Sequence, residues 1–151
     1  MTLGEFLQPN AILLDLKIKG HNHLISRLSY YASKLIDIDT EVINQAILER
    51  ENQSFTNIGG GVALPHGRLE SLQKINIIFA RLAEPIYFSH EDTEPIDLVF
   101  LLLSPKELVS QHLSALARIA RLVRNESLLL ALRNTKAKDE IYNLLATNNL
   151  Q

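Results

Sequence analysis

With 151 residues, 46% of them hydrophobic and 21% charged, the chain is long enough to bury the core of one domain. A formal charge of −2 supplies no general attraction for nucleic acid or for an anionic membrane surface, so neither is expected as a partner. There are no cysteines, which excludes disulfides, thiolate metal sites and cysteine nucleophiles. The opening Met1-Thr2-Leu3-Gly4-Glu5-Phe6 lacks the basic and apolar regions of a signal peptide, and the longest apolar run, residues 98–103, is far shorter than the roughly 20 residues needed to cross a bilayer. A cytoplasmic protein without membrane insertion is expected.

Ile12-Leu13-Leu14-Asp15-Leu16 reads as a short strand that stops before Gly20. Leu24, Ile25, Leu28, Tyr31, Ala32, Leu35 and Ile36 recur at helical spacing, with Asn22 placed to cap them. After Asp37-Ile38-Asp39 a second helix is predicted, capped by Asp39, with Val42, Ile43, Ala46 and Ile47 on its apolar face. Residues 75–82 form a β-branched and aromatic strand ending before Glu84-Pro85, and Pro95 precedes another over 96–103. This last run is apolar at almost every position, so it should be covered on both faces as a central strand. Pro105 marks its exit. Leu113, Leu116, Ala117, Ala120 and Val123 trace the stripe of a long helix that Asn125 is suited to end. Two shorter helices follow, over 126–132 and after Thr135, the latter with Ile141, Leu144 and Leu145 inward. No repeat or linker divides the chain, so 1–151 reads as a single domain of layered α/β type.

The chemistry concentrates in Gly59-Gly60-Gly61-Val62-Ala63-Leu64-Pro65-His66-Gly67. Three glycines open backbone angles closed to other residues and let main-chain N–H groups approach an anion. Pro65 fixes the backbone before His66, and Gly67 leaves the far side open. A neutral imidazole is a nitrogen nucleophile near neutral pH that can accept a phosphoryl group and pass it on. This reading asks for an exposed, uncharged His66 ring flanked by main-chain donors. Nucleotide-binding fingerprints fail, because no Gly-Lys-Ser/Thr follows the glycines and Leu64 occupies the place of the third dinucleotide glycine.

Arg50-Glu51, six residues, Ile58-Gly59, two residues, then Val62-Ala63-Leu64-Pro65-His66-Gly67 closely resembles the active-site signature of the fructose/mannitol-type (type 2) EIIA domains of the bacterial phosphoenolpyruvate-dependent phosphotransferase system. The resemblance extends from Leu7-Gln8-Pro9 to Asp139-Glu140-Ile141-Tyr142. It implies a three-layer α/β/α sandwich with a mixed sheet, in which His66 takes phosphate from a small phosphocarrier such as HPr or its nitrogen-branch relative NPr. It further implies that Arg50 pairs with phosphate oxygens and that His112, in Ser110-Gln111-His112-Leu113, supports His66 or hydrogen-bonds its phosphate. No cofactor is implied. Gly60 stands where an asparagine or aspartate is frequent, and Asn57 where glycine is common; Asn57 tolerates a left-handed backbone, so the turn should survive. A free-standing domain without cysteine looks more like the nitrogen-related regulatory EIIA proteins, whose contacts with target proteins depend on phosphorylation, than like a sugar-specific EIIA that passes phosphate to a separate EIIB.

Plainer roles are open to the same residues. His66 and His112 could be histidines satisfied by nearby carbonyls, and Arg50 a surface arginine paired one turn away. His21-Asn22-His23 makes a poor metal site, because two alternate histidines lack further ligands at useful spacing. The acidic stretch Glu91-Asp92-Thr93-Glu94 beside His90 reads as a solvated loop, and nothing assigns Glu49 or Glu51 an acid–base duty.

Overall fold

The apolar run of the sequence forms the middle of a six-stranded mixed sheet in the computed structural model, which describes residues 3–53, 56–89 and 92–147. This strand is buried along almost its whole length. Neighbouring positions of a strand face opposite sides, so helices must cover both faces of the sheet there.

In chain order the elements are β1 (Leu7–Leu16), α1 (His21–Ile36), α2 (Thr40–Glu51), β2 (Asn57–Gly59), β3 (Val62–Ala63), β4 (His66–Leu69), β5 (Asn76–Ile86), β6 (Ile96–Pro105), α3 (Val109–Leu122), α4 (Glu126–Asn134) and α5 (Lys138–Thr147). The strand order is β1-β5-β6-β3-β2, with β4 also pairing β6. Strand β5 runs antiparallel to β6 and parallel to β1, whereas β3 and β4 run parallel to β6. The architecture is the expected α/β sandwich with a mixed sheet. Phe79 and Phe100 meet across β5 and β6 with ring centres 5.1 Å apart, at the heart of the core.

Several local expectations are corrected. Strand β1 begins five residues earlier than its apolar run, at Leu7, and carries an irregularity at Asp15, whose φ of 57° is stabilised by a bond from the buried Arg81 Nε (3.2 Å). Strand β5 continues through Glu84-Pro85 to Ile86, because pairing with β6 resumes at Ile96 after a register shift. Helix α1 starts on Gly20 without a side-chain cap, so Asn22 lies inside it. Asp39 does cap α2, accepting from Glu41 N–H, while Val42 on that helix is 49% exposed and Ile43 and Ile47 bury fully.

The buried stripe of α3 is His112, Ala115, Ile119 and Leu122, one position out of phase with the expected one, and Leu113 is 60% exposed. Two adjacent stripes of this helix are almost equally apolar, so periodicity alone could not choose between them. Ser104 on β6, whose hydroxyl lies 2.6 Å from His112 Nδ1, draws that residue inward. Asn125 starts α4 rather than ending α3, accepting a hydrogen bond from Leu128 N–H at 3.0 Å.

Candidate functional site

His66 opens β4, and the backbone around it is held from both sides. Leu64 N–H donates to Thr56 O at 2.8 Å, and Pro65, which has no N–H to give, accepts at its carbonyl from Leu102 N–H at 3.1 Å. These bonds place His66 opposite Leu102 and Arg68 opposite Ser104 in the parallel register with β6. Residues two apart on a strand share a face, so His66, Arg68, Leu102 and Ser104 lie on one side of the sheet. Gly67 faces the other side, toward α2.

Helix α3 brings its first turn down onto this face. The His112 ring centre lies 5.4 Å from that of His66, with the planes inclined at 53°, and His112 Nδ1 is 2.6 Å from Ser104 Oγ. His66 Nδ1 is 2.9 Å from the Leu64 carbonyl, which can only accept, so Nδ1 carries the proton and Nε2 is left with a lone pair. His66 is 9% exposed and His112 6%.

Burial lowers the pKa of His66, and the charge of nearby Arg50 lowers it further; the bond to the Leu64 carbonyl and the carboxylate of Glu51 act in the opposite direction. His112 is held at about 4, chiefly by burial, then by His66 and by the positive charge of Arg68. Both rings are therefore neutral at pH 7.

Of the residues singled out from sequence, His66, His112 and Arg50 come together. Two details of the His66 reading are corrected. The ring is mostly covered rather than exposed, because β4 pairs with the central strand and α3 lies over it. Its nearest main-chain partner is an acceptor, the Leu64 carbonyl, and not a donor.

Gly59, Gly60 and Gly61 are elsewhere. They form the β2–β3 turn with φ of 94°, 64° and 77°, and a Cβ on Gly61 would strike Arg133 and Asp97. The Gly61 carbonyl accepts from Asp97 and Leu98 N–H, at the entry to β6. Four residues of strand, about 13 Å, separate Leu98 from Leu102, which pairs with His66. The glycines make a tight hairpin against the Arg133–Asp97 ion pair (2.8 Å) rather than a phosphate cradle. Gly67 is likewise not open: a Cβ there would lie 3.2 Å from the Ala46 backbone, so its hydrogen lets α2 pack on β4. Asn57 is the first residue of β2, not a left-handed turn residue, and donates to Asp92 Oδ1 at 2.7 Å.

Sequence reasoning missed Glu51, Arg68 and Ser104. The Glu51 side chain is 2% exposed, 3.0 Å from His21 Nε2, and accepts from Thr56 Oγ at 2.7 Å. Because Thr56 also holds Leu64, a bonded path runs from His21 through Glu51 and Thr56 to the loop carrying His66. Arg68 was legible in principle, two residues from His66 on a strand. Ser104 showed only as a hydroxyl at the end of an apolar run.

His21 and His23 serve different partners, His23 Nδ1 accepting from Lys19 N–H at 3.0 Å. Among the described residues no group of three or more His, Asp or Glu is arranged to hold a metal ion. Asp92 is no solvated loop residue: it accepts from Phe88 and Ser89 N–H at 2.7 and 3.0 Å. His90 and Glu91 lie outside the described residues.

A neutral histidine pair beneath the first turn of α3, at the carboxyl end of a central strand and within the electrostatic reach of Arg50 and Arg68, is what this α/β fold assembles. The chain belongs to the family described as phosphoenolpyruvate-dependent sugar phosphotransferase system, EIIA 2, which it matches over residues 5–148. It is 40% identical to the nitrogen regulatory protein of Bradyrhizobium diazoefficiens over 146 residues, 97% of this chain and 95% of that one. The crystal structure of nitrogen regulatory protein IIA-Ntr from Neisseria meningitidis superposes with a TM-score of 0.89 at 26% identity, covering 95% of this chain and 99% of that one. IIA mannitol from Escherichia coli superposes at 0.78 and 25% identity, covering 92% and 98%. No helix among the described residues is long and apolar enough to cross a membrane.

Proposed function

We propose that this chain is a single EIIA domain that carries a phosphoryl group on His66 Nε2, received from an HPr-like phosphocarrier, and that it acts chiefly as a nitrogen-related regulator in the cytoplasm. The observation that carries the reading is the bond from His66 Nδ1 to the Leu64 carbonyl, which leaves Nε2 bare beside His112. In the transfer, the Nε2 lone pair forms a bond to phosphorus as the bond from phosphorus to the donor's nitrogen breaks, and the donor keeps that electron pair. Nδ1 keeps its proton throughout and the Leu64 carbonyl stabilises it. Arg50 and Arg68 supply positive charge for the phosphoryl oxygens in a mostly buried site, where such charge is weakly screened.

The phosphoryl group adds about −1.5 to −2 charges and three acceptor oxygens to a surface that partner proteins can read. Incubation with phosphoenolpyruvate, enzyme I and either HPr or NPr tests the carrier role. An acid-labile label on the unaltered protein, absent from His66→Ala, is expected; no label with either carrier would overturn it. The likeness to IIA mannitol favours a second reading, a sugar-specific EIIA. Rapid passage of the label to an isolated EIIB would support that reading, and partner proteins captured by only one phosphorylation state would support the regulator.

A further inference from the structure

We propose that Ser104 is a positioning residue that selects the tautomer of His112, so that His112 offers Nε2–H, and not a bare nitrogen, beside His66. The inference rests on His66 being the phosphoryl site and assigns how its companion histidine is prepared.

Ser104 is fully buried near the end of β6, and its hydroxyl lies 2.6 Å from His112 Nδ1. Two arrangements are conceivable. If Nδ1–H donated to Ser104 Oγ, the hydroxyl hydrogen would need another acceptor, and among the described residues Ser104 makes no other side-chain hydrogen bond. A buried hydroxyl with no acceptor is unfavourable, because it gives up its bond to water and gains nothing in return. If the hydroxyl instead donates to Nδ1, both groups are satisfied with one bond, and the proton of the neutral ring must sit on Nε2. The ring is neutral near pH 7 because it is buried and faces both His66 and the Arg68 guanidinium, so the choice of tautomer decides what it can do.

The two histidines then hold opposite tautomers. His66 donates a hydrogen bond from Nδ1–H to a carbonyl on one side and keeps a bare Nε2; His112 accepts a hydrogen bond at Nδ1 from a hydroxyl on one side and keeps Nε2–H. The first is the nucleophile, and the second is a donor for a phosphoryl oxygen carried on the first. A glutamine could imitate such a donor; an imidazole of the wrong tautomer could not. Ser104 is opposite Arg68 in the β4–β6 register, so the two residues that prepare His112, one by hydrogen bond and one by charge, come from neighbouring strands on the same face.

Nitrogen-15 NMR of the intact, unphosphorylated protein at neutral pH tests this directly, since protonated and bare imidazole nitrogens resonate far apart. His112 is expected to show a bare Nδ1 and a protonated Nε2. A protonated Nδ1 would overturn the proposal without any variant being made. In Ser104→Ala the preference should weaken, with both His112 nitrogens moving toward the values of exchanging tautomers. Phosphoryl transfer should slow roughly tenfold, the size of one hydrogen bond to a charged group, while His66 remains the labelled residue. Unchanged His112 resonances and unchanged transfer in Ser104→Ala would equally sink it. Failure of the carrier reading looks different: the unaltered protein would take no label on His66, whatever the tautomer of His112.

Discussion

His66 on β4 and His112 on α3 are 46 residues apart in the chain, and each has its Nδ1 occupied by a different partner: the Leu64 carbonyl at 2.9 Å and the Ser104 hydroxyl at 2.6 Å. The consequence for His66 is regiochemical. Phosphorylation is expected on Nε2, and a phosphorus–nitrogen coupling experiment on the labelled protein reads the position. A phosphoryl group on Nδ1 would mean that the bond to Leu64 breaks before transfer.

Stability should fall with acid over a defined window. The pKa of His112 drops from 6.5 in the unfolded chain to about 4 in the fold, so between these values the unfolded state binds more protons. Stability is then fully present above about pH 6.5 and is lost as pH falls toward 4, by on the order of 3 kcal/mol for His112, with His66 adding to it in the same direction. Urea unfolding at pH 7 and pH 4.5 measures the difference. His112→Gln should reduce it; an equal loss in that variant would assign the acid sensitivity elsewhere.

Glu51 is expected to matter twice. Glu51→Ala leaves His21 and Thr56 without their shared partner in a buried place, a loss of about 3 kcal/mol read by urea unfolding. Glu51→Gln keeps the shape and removes the charge. Because the Glu51 carboxylate raises the His66 pKa, the glutamine variant should move it lower still in an NMR titration. An upward movement would contradict the arrangement.

Gly67 and Gly20 should respond differently to the same substitution. In Gly67→Ala the new Cβ meets the backbone of Ala46 and Ile47 at 3.2 and 3.3 Å, so α2, which carries Arg50, must shift from β4. A loss of about 1–3 kcal/mol and slower phosphoryl transfer are expected. In Gly20→Ala the Cβ enters open space, on extended backbone, and neither stability nor transfer should change by much. Thermal unfolding and labelling of both variants make the comparison.

The glycine turn should be separable from the chemistry. Gly60→Ala places a side chain at φ +64° and 3.0 Å from Val123 Cγ1, and should destabilise the protein by about 1–2 kcal/mol. Its labelling rate, measured well below the unfolding temperature, should match that of the unaltered protein. A selective loss of labelling would return the glycines to the phosphate site.

Sequence alone carried the signature around His66, the central strand, the Asp39 cap and the mixture of helices and strands, because each is written in adjacent residues or in a short period. It misjudged the glycines, whose open angles suit an anion cradle and a tight hairpin equally well; only the register of β3 and β4 on β6 showed which. It also chose the wrong stripe of α3, since apolar spacing does not reveal that a serine on β6 draws a histidine inward.

What the chain's own order of residues determined is therefore the family signature around His66 and the fold that carries it. What the tertiary structure decided is the state of that histidine: which nitrogen is bare, how far burial and charge keep it neutral, and which partners from β4, β6 and α3 surround it. Those properties depend on distances of a few ångströms between residues far apart along the chain, and no local pattern encodes them.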